Sequence, residues 1–457
     1  MTASAGASTT TATAAELLAR QDRIPVWALP RYYLVIIGAG YFFTFYDIAD
    51  IGYGLPAIAE QFHLTSSQGT FVALSVGLIG YVVGSIVIGT LADRFGRYRV
   101  LLFTIALTAL GSFLDATSTG LVTLSLWRFV TGMGVGADLN LVSTYVGELA
   151  PAAKRGRIAN VTFIVGIIGQ AVTPFVALGL VPNYDYGWRL LFVIGGVIAT
   201  IAFVARFELP ESPRWLALHG READAEAVIE QMEATARARG VVLEEAEPTE
   251  VSSAYRRFAF ADLLQRPYVG RLAVLIPMWF LWYIGNYGFL GDSAALFADQ
   301  GHDLGNSILY LGIGAVGYPL GAGLMALIAD RVERRLLIFC ATLVWLAGML
   351  LVGTLANDAV LIFGSFLASF ALGLYLQIAY TYTAECFPTR ARASGFALSD
   401  GLGHGGGALG ALVLPTVVSS ISFFAGFAGI GVTGALAGLI ALLGPRVSSR
   451  RLEHVSS

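Results

Sequence analysis

Asp47, Asp50, Arg128, Asp138 and Asp400 fall within long apolar stretches of this sequence, and His404 stands four residues beyond Asp400. An ionisable side chain deep in a bilayer costs about 2.5–3.5 kcal/mol on insertion scales, which makes each a candidate for function rather than packing. Carboxyls, a guanidinium and an imidazole together can hold protons and pair with a charged solute. Asp47 and Asp50 are three residues apart and share one helix face. At about 1.5 Å per residue, Asp47 lies roughly 16 Å and Arg128 roughly 10 Å inside the outer ends of their helices. Those depths overlap, so an Asp47–Arg128 pair, with Asp50 as the alternative acid, is expected if the two helices are neighbours, an adjacency that rests on the family resemblance given below. Protonating the acid would free Arg128, or a substrate carboxylate could compete for it, so proton and substrate binding become linked. The alternative is a static salt bridge that fixes helix packing. Asp138 reads either as a second proton or substrate site or as part of an inner ion-pair network. Asp400 and His404, among the glycines of SDGLGHGGGALG, either meet proton and substrate or satisfy each other. Asp115 and Asp292 fall near outer helix ends and are expected to be solvated.

Neutral groups complete the candidate site. Trp282, Tyr283, Asn286 and Tyr287 recur at helical spacing and offer stacking faces with an amide, which suits a flat or hydroxylated ligand. An interfacial aromatic belt is the alternative, and Asn286 argues against it because an amide facing lipid is costly. Gln170 and Gln377 are expected to point inward for the same reason.

The elements that must position these residues are membrane-spanning helices. Hydrophobic residues make up 56% of the chain, charged ones 13%, and the mean hydropathy is +0.71. Apolar stretches of spanning length, about 17–25 residues each, lie near 32–58, 68–91, 99–116, 121–146, 159–180, 188–207, 270–297, 305–329, 336–356, 359–384, 395–419 and 422–444. The expected fold class is an all-α membrane protein with twelve transmembrane helices. All but two of the 28 Lys and Arg residues, Arg128 and Arg189, fall on one side if both termini are cytoplasmic, and this sets the topology expected in a plasma membrane. Residues 1–30 read as a flexible cytoplasmic tail, 31–207 as a first six-helix bundle, 208–268 as a polar cytoplasmic linker, 269–445 as a second bundle, and 446–457 as a closing tail. The positive charge is spread along a membrane face, so the net charge of −3 implies no nucleic-acid partner. The two cysteines suggest neither a disulfide framework nor a metal site. No metal-ligand cluster, Walker motif or nucleophile–base set is present, so no enzyme, cofactor or ATP-driven pump is expected.

The two bundles repeat one another. Gly77, Gly80, Tyr81 and Gly84 return 237 residues later as Gly314, Gly317, Tyr318 and Gly321; Asp93, Arg94 and Arg97 return as Asp330, Arg331 and Arg334; Tyr145, Glu148 and Arg155 return as Tyr382, Glu385 and Arg392. Parallel membrane repeats are the mark of alternating access around a site at their interface. In GTLADRFGRYRV, Gly96 permits a tight turn, and Asp93, Arg94, Arg97, Glu148 and Arg155 form one candidate gate. Asp330, Arg331, Arg334, Glu385 and Arg392 form the other. Positive-inside anchoring is the plainer reading of these charges. The deep charges do not repeat, since Asp47 maps onto Ile284, Asp50 onto Tyr287 and Arg128 onto Ser365.

The turn GTLADRFGRYRV with its copy ADRVERR resembles the signature of the major facilitator superfamily over the whole chain. RFVTGMGVGAD, the ELAPAAKRG that follows, and PESPRWL resemble its sugar-porter-like group, while FYDIADIG and DRIPVWALP are similar to the branch of nicotinate and aromatic-acid transporters. The seventh span reads WYIGNYGFLGD where sugar porters carry a QQ motif, and the fifth lacks the Gly-Pro motif of drug antiporters. The resemblance implies two pseudo-symmetric six-helix bundles with the first and fourth helices adjacent, an Asp–Arg pair between them for proton coupling, and a monomer in membrane lipid. It implies a proton-coupled transporter of a small polar solute, aromatic or carboxylated by preference; a sugar or polyol, or a proton-independent facilitator, is the alternative.

Overall fold

The computed structural model describes residues 13–151, 154–246, 263–266, 268–329, 331–387 and 389–447. After the short α1 (Ala14–Asp22) come α2 (Tyr32–Gln61), then α3 (Ser66–Thr70), which runs through one π-helical turn at Phe71–Ser75 into α4 (Val76–Phe95). α5 (Arg97–Ala116), α6 (Leu121–Leu149), α7 (Arg155–Leu180) and α8 (Gly187–Arg206) follow. Two short helices, α9 (Pro213–Leu218) and α10 (Glu222–Ala238), fill the connection to α11 (Tyr268–Asp299). The chain continues as α12 (Leu304–Ala315), α13 (Gly317–Ile328), α14 (Arg334–Thr354), α15 (Asp358–Glu385), α16 (Thr389–Ser420) and α17 (Phe423–Leu443). No strand occurs among the described residues. Eleven of these segments are long and apolar enough to cross a membrane, α12 and α13 together making one. α6, at 29 residues, is the twelfth long helix; Arg128 and Asp138 in its middle set it apart in polarity.

The repeat in the sequence is a repeat in packing. Added Cβ atoms on Gly80 and Gly84 would strike the carbonyl oxygens of Phe129 and Met133, and those on Gly317 and Gly321 would strike Phe366 and Phe370. The contact is reciprocal, with Gly136 against the carbonyl of Tyr81 and Gly373 against that of Tyr318. Every partner moves by the same 237 residues. Small residues at these positions let the α4–α6 and α13–α15 backbones touch, which is how helices gain contact in lipid.

Between α4 and α5 the chain reverses at Gly96, whose φ of +100° disfavours any side chain. A Cβ there would also meet the carboxylate of Glu211. That carboxylate, from PESPRWL, accepts hydrogen bonds from the backbone N–H groups of Arg97 and Tyr98 at 2.9 and 3.0 Å and so caps α5.

The expectation of a flexible tail over residues 1–30 is corrected for residues 13–30; residues 1–12 lie outside the described residues. Residues 14–22 form a helix begun by a capping box between Thr13 and Glu16 and docked by the buried Leu17 and Leu18. Arg20 pairs with Glu226 at 2.8 Å and Glu233 at 3.1 Å, Arg23 pairs with Glu233 at 2.7 Å, and Gln21 donates to the carbonyl of Glu148 at 2.7 Å. Burial pushes the Glu233 carboxyl up, but hydrogen bonds from Arg20 and Arg23 outweigh it and hold the group below its ordinary range. A depressed carboxyl stabilises the fold fully above its unfolded value and loses that contribution as pH falls through the folded value. Acidification from the ordinary Glu range downward is therefore expected to loosen α1. Amide exchange in α1 checks this: Glu233→Gln should show the looser helix already at neutral pH, and equal protection in both proteins would refute it.

Candidate functional site

Arg128 of α6 projects between α2 and α5, where three carboxyls converge on it. Its Nη1 lies 3.6 Å from Asp47, 4.0 Å from Asp50 and 3.5 Å from Asp115, and all four side chains are buried. Charge-assisted bonds are shorter, about 2.7–2.9 Å, so the guanidinium is shared rather than committed. Ser112 donates its hydroxyl to Asp47 at 3.1 Å and Thr131 donates to Asp115 at 2.9 Å. Neither oxygen of Asp50 has a hydrogen-bond partner, nor does Nε of Arg128. Depth arithmetic anticipated Asp47 beside Arg128, with Asp50 near. It did not anticipate Asp115, expected to be solvated, which is 0% exposed. Arg128 and Thr131 of α6 close over it, and just beyond it Arg189 caps the end of α5 by donating to the carbonyls of Ala116 and Ser118 at 2.7 Å.

Beside this cluster is a cavity of about 30 Å³ lined by Asp47, Ile51, Leu74, Tyr81, Arg128 and Tyr287. It holds about two waters by the usual requirement of one probe sphere each, and no organic solute. Tyr287 links the cavity to a wall of aromatic rings from α11 and α15. Trp282 stacks on Tyr375 at 3.6 Å between centroids, and Trp279 stacks on Tyr283 at 5.2 Å. Trp282, Tyr283 and Tyr287 are buried, so they form no interfacial belt. Asn286 and Gln377 are buried with unpartnered polar atoms, the amide oxygen of the first and both side-chain heteroatoms of the second. Gln170 is buried on α7 within hydrogen-bond reach of Tyr318.

A second polar cluster bridges the two sets of helices. Asp400 of α16 accepts hydroxyls from Tyr81 of α4 at 2.9 Å and Tyr283 of α11 at 2.7 Å. His404 stands with Nδ1 2.8 Å from the backbone carbonyl of Asp400 and 3.7 Å from its carboxylate, and its ring stacks on Tyr81 at 3.6 Å. Both readings of this pair meet in one place: the residues touch each other and also face the interface. Tyr81, visible beforehand only as a repeated residue, belongs to the site.

Asp138 stands apart. Its carboxylate takes two N–H bonds from Arg206 at 2.5 and 2.9 Å and a hydroxyl from Thr104 at 2.8 Å. Arg206, counted with the loop charges from sequence, ends α8 and is 1% exposed. Of the two readings of Asp138, the geometry supports an inner ion pair within the first helix set.

At the end bearing the tight turns, Arg97 bonds Asp93 at 2.6 Å and Glu148 at 3.2 Å, and Arg334 bonds Glu385 at 3.2 Å, the same contact 237 residues on. Each of these pairs joins helices of one set, so they brace the sets internally. Arg94 and Arg331 are exposed. Asp330 and the side chains of Arg155 and Arg392 lie outside the described residues. The opposite end is closed between sets: Thr70 donates to Asp292 at 2.9 Å, Ser75 donates to the carbonyl of Ala408 at 2.8 Å, and Gly52 abuts the backbone of Leu290. Asp292, expected to be solvated, is buried in this seal.

Two repeated sets of six long helices around a buried charge cluster and an interfacial cavity make the fold of the major facilitator superfamily. Within that superfamily the chain belongs to the family described as sugar (and other) transporter, which matches residues 33–457. It is 29% identical to the putative metabolite transport protein YyaJ of Bacillus subtilis, over 95% of this chain and 96% of that protein. It is 27% identical to the niacin transporter NiaP of Acinetobacter baylyi, over 96% and 99%. Its fold is similar to a partially occluded, inward-open conformation of the xylose transporter XylE from E. coli, with a TM-score of 0.75 at 18% identity over 92% and 98% of the two chains.

Proposed function

We propose that this protein is a proton-coupled symporter of a small polar organic solute, aromatic or carboxylated by preference, working by alternating access in the plasma membrane. The observation that carries the reading is Arg128, a buried guanidinium shared among three carboxyls and bonded closely to none. A cation held this loosely can pass to a protonating acid's neighbour or to a substrate carboxylate without losing a strong bond. The aromatic wall of Trp279, Trp282, Tyr283, Tyr287 and Tyr375 supports a flat substrate, as do relatives described as niacin and 4-hydroxybenzoate transporters. In this reading Asp47, Asp50 and Arg128 couple the proton, while Gln170, Tyr283, Asn286, Tyr287, Gln377, Asp400 and His404 meet the solute. The protein acts as a monomer in lipid with both termini cytoplasmic, residues 31–207 and 269–445 forming the two moving bundles.

A sugar or polyol is the second reading. The unpartnered amides of Gln377 and Asn286 favour hydroxyl recognition, and relatives include a glucose transporter and an arabinose–proton symporter. The test is the purified protein in liposomes with an external pH dye and a panel of aromatic acids, other carboxylates, sugars and polyols. External alkalinisation on adding one class identifies it and establishes symport. Radiolabelled uptake without a pH change would make the protein a facilitator and overturn the coupling.

A further inference from the structure

We propose that Asp115 is a second proton-holding residue of the transport site, competing with Asp47 for the Arg128 guanidinium and thereby setting the pH at which Asp47 gives up its proton. The inference rests on the coupling role given to Asp47 and Arg128 above and adds a third helix to it.

The geometry around Arg128 is close to symmetric. Nη1 is 3.6 Å from Asp47 and 3.5 Å from Asp115, and each acid takes one hydroxyl as well, from Ser112 and Thr131 respectively. Asp115 Oδ1 and both oxygens of Asp50 have no hydrogen-bond partner among the described residues. Three buried carboxyls around one guanidinium, beside a cavity for about two waters, cannot all stay ionised, because like charges this close disfavour one another. Protons must therefore be distributed among them. Arg128 decides where: beside an ionised Asp115 it leaves Asp47 to keep its proton, and when Asp115 is protonated it is free to pair with Asp47 and ionise it.

The groups facing Asp115 are few. α2 presents Asp47 and Asp50, α6 presents Arg128 and Thr131, and at the α8 end Arg189 binds the carbonyls just beyond it. Tyr81 of α4 lines the adjoining cavity. Asp115 lies in the last turn of α5, on the side away from the tight turns.

Infrared spectroscopy of the purified protein across a pH titration tests this without a substrate, because a protonated buried carboxyl has its own carbonyl stretch. Asp47→Asn should remove one titrating band. Asp115→Asn should remove another and move the remaining midpoint to lower pH by about one unit, since Arg128 is then left to Asp47. Thr131→Val, which withdraws a hydrogen bond from ionised Asp115, should move the midpoint the same way by less, and it serves if Asp115→Asn does not fold. Loss of a band in Asp47→Asn with band and midpoint unchanged in the Asp115 and Thr131 variants would overturn this inference alone. An unchanged spectrum in Asp47→Asn would overturn the coupling role beneath it.

Discussion

Asp47→Asn is expected to abolish accumulation driven by a pH gradient while leaving substrate exchange intact. The amide is isosteric and keeps the Ser112 hydrogen bond, so the change removes a titrating proton with little change of shape. A gradient of about one pH unit supplies about 1.4 kcal/mol per proton, which sustains roughly tenfold accumulation. In the variant the internal-to-external ratio should fall to about one. Arg128 then faces two acids instead of three, which keeps the guanidinium compensated and the bundle folded. Accumulation at the wild-type ratio would remove Asp47 from the coupling mechanism.

The second large effect concerns stability. Arg206 gives two bonds to Asp138 and one to the carbonyl of Leu101 at 2.9 Å, all in the dry interior of the first helix set. Removing one member of a buried pair strands the other, at about 3–5 kcal/mol. Arg206→Met should therefore lower the thermal midpoint in detergent strongly, with Asp138 left bonded to Thr104 alone. Replacing both residues by apolar ones of similar volume leaves no stranded charge, so Arg206→Met with Asp138→Leu should recover much of the loss. Gradient-driven uptake by the double variant would confirm a packing role for Asp138, and its abolition would return Asp138 to the proton pathway.

Much of this was legible in the sequence. Apolar length marked the spans, and the 237-residue offset anticipated matched contacts such as Arg97–Glu148 and Arg334–Glu385. Rise per residue set Asp47 within about 6 Å of the depth of Arg128, and the helix adjacency implied by the resemblance supplied the rest. What failed was the rule that acids near helix ends are wet. Asp115 and Asp292 are near ends, but Arg128 and Thr131 approach the first and Thr70 abuts the second, all from other helices. Arg206 counted in the sequence only toward one side of the membrane, and nothing in its spacing marked it as the partner of Asp138, 68 residues away. The docking of α1 was missed although Thr13 and Glu16 carry its capping signal; its partners lie more than 200 residues away in α10.

The glycine contacts between α4 and α6 carry a mechanical consequence. With the Met133 carbonyl seated on Gly84, sliding one helix along the other lifts that carbonyl off the glycine and drives it toward Ile88, the next residue one turn along the same face of α4. Interlocked in this way the two helices resist shear and tilt as a single plate, and α13 with α15 does the same. Displacement during a transport cycle is then confined to seams where side chains meet, such as Thr70 with Asp292 and Tyr81 with Asp400, whose hydrogen bonds can part and re-form without dismantling a backbone contact.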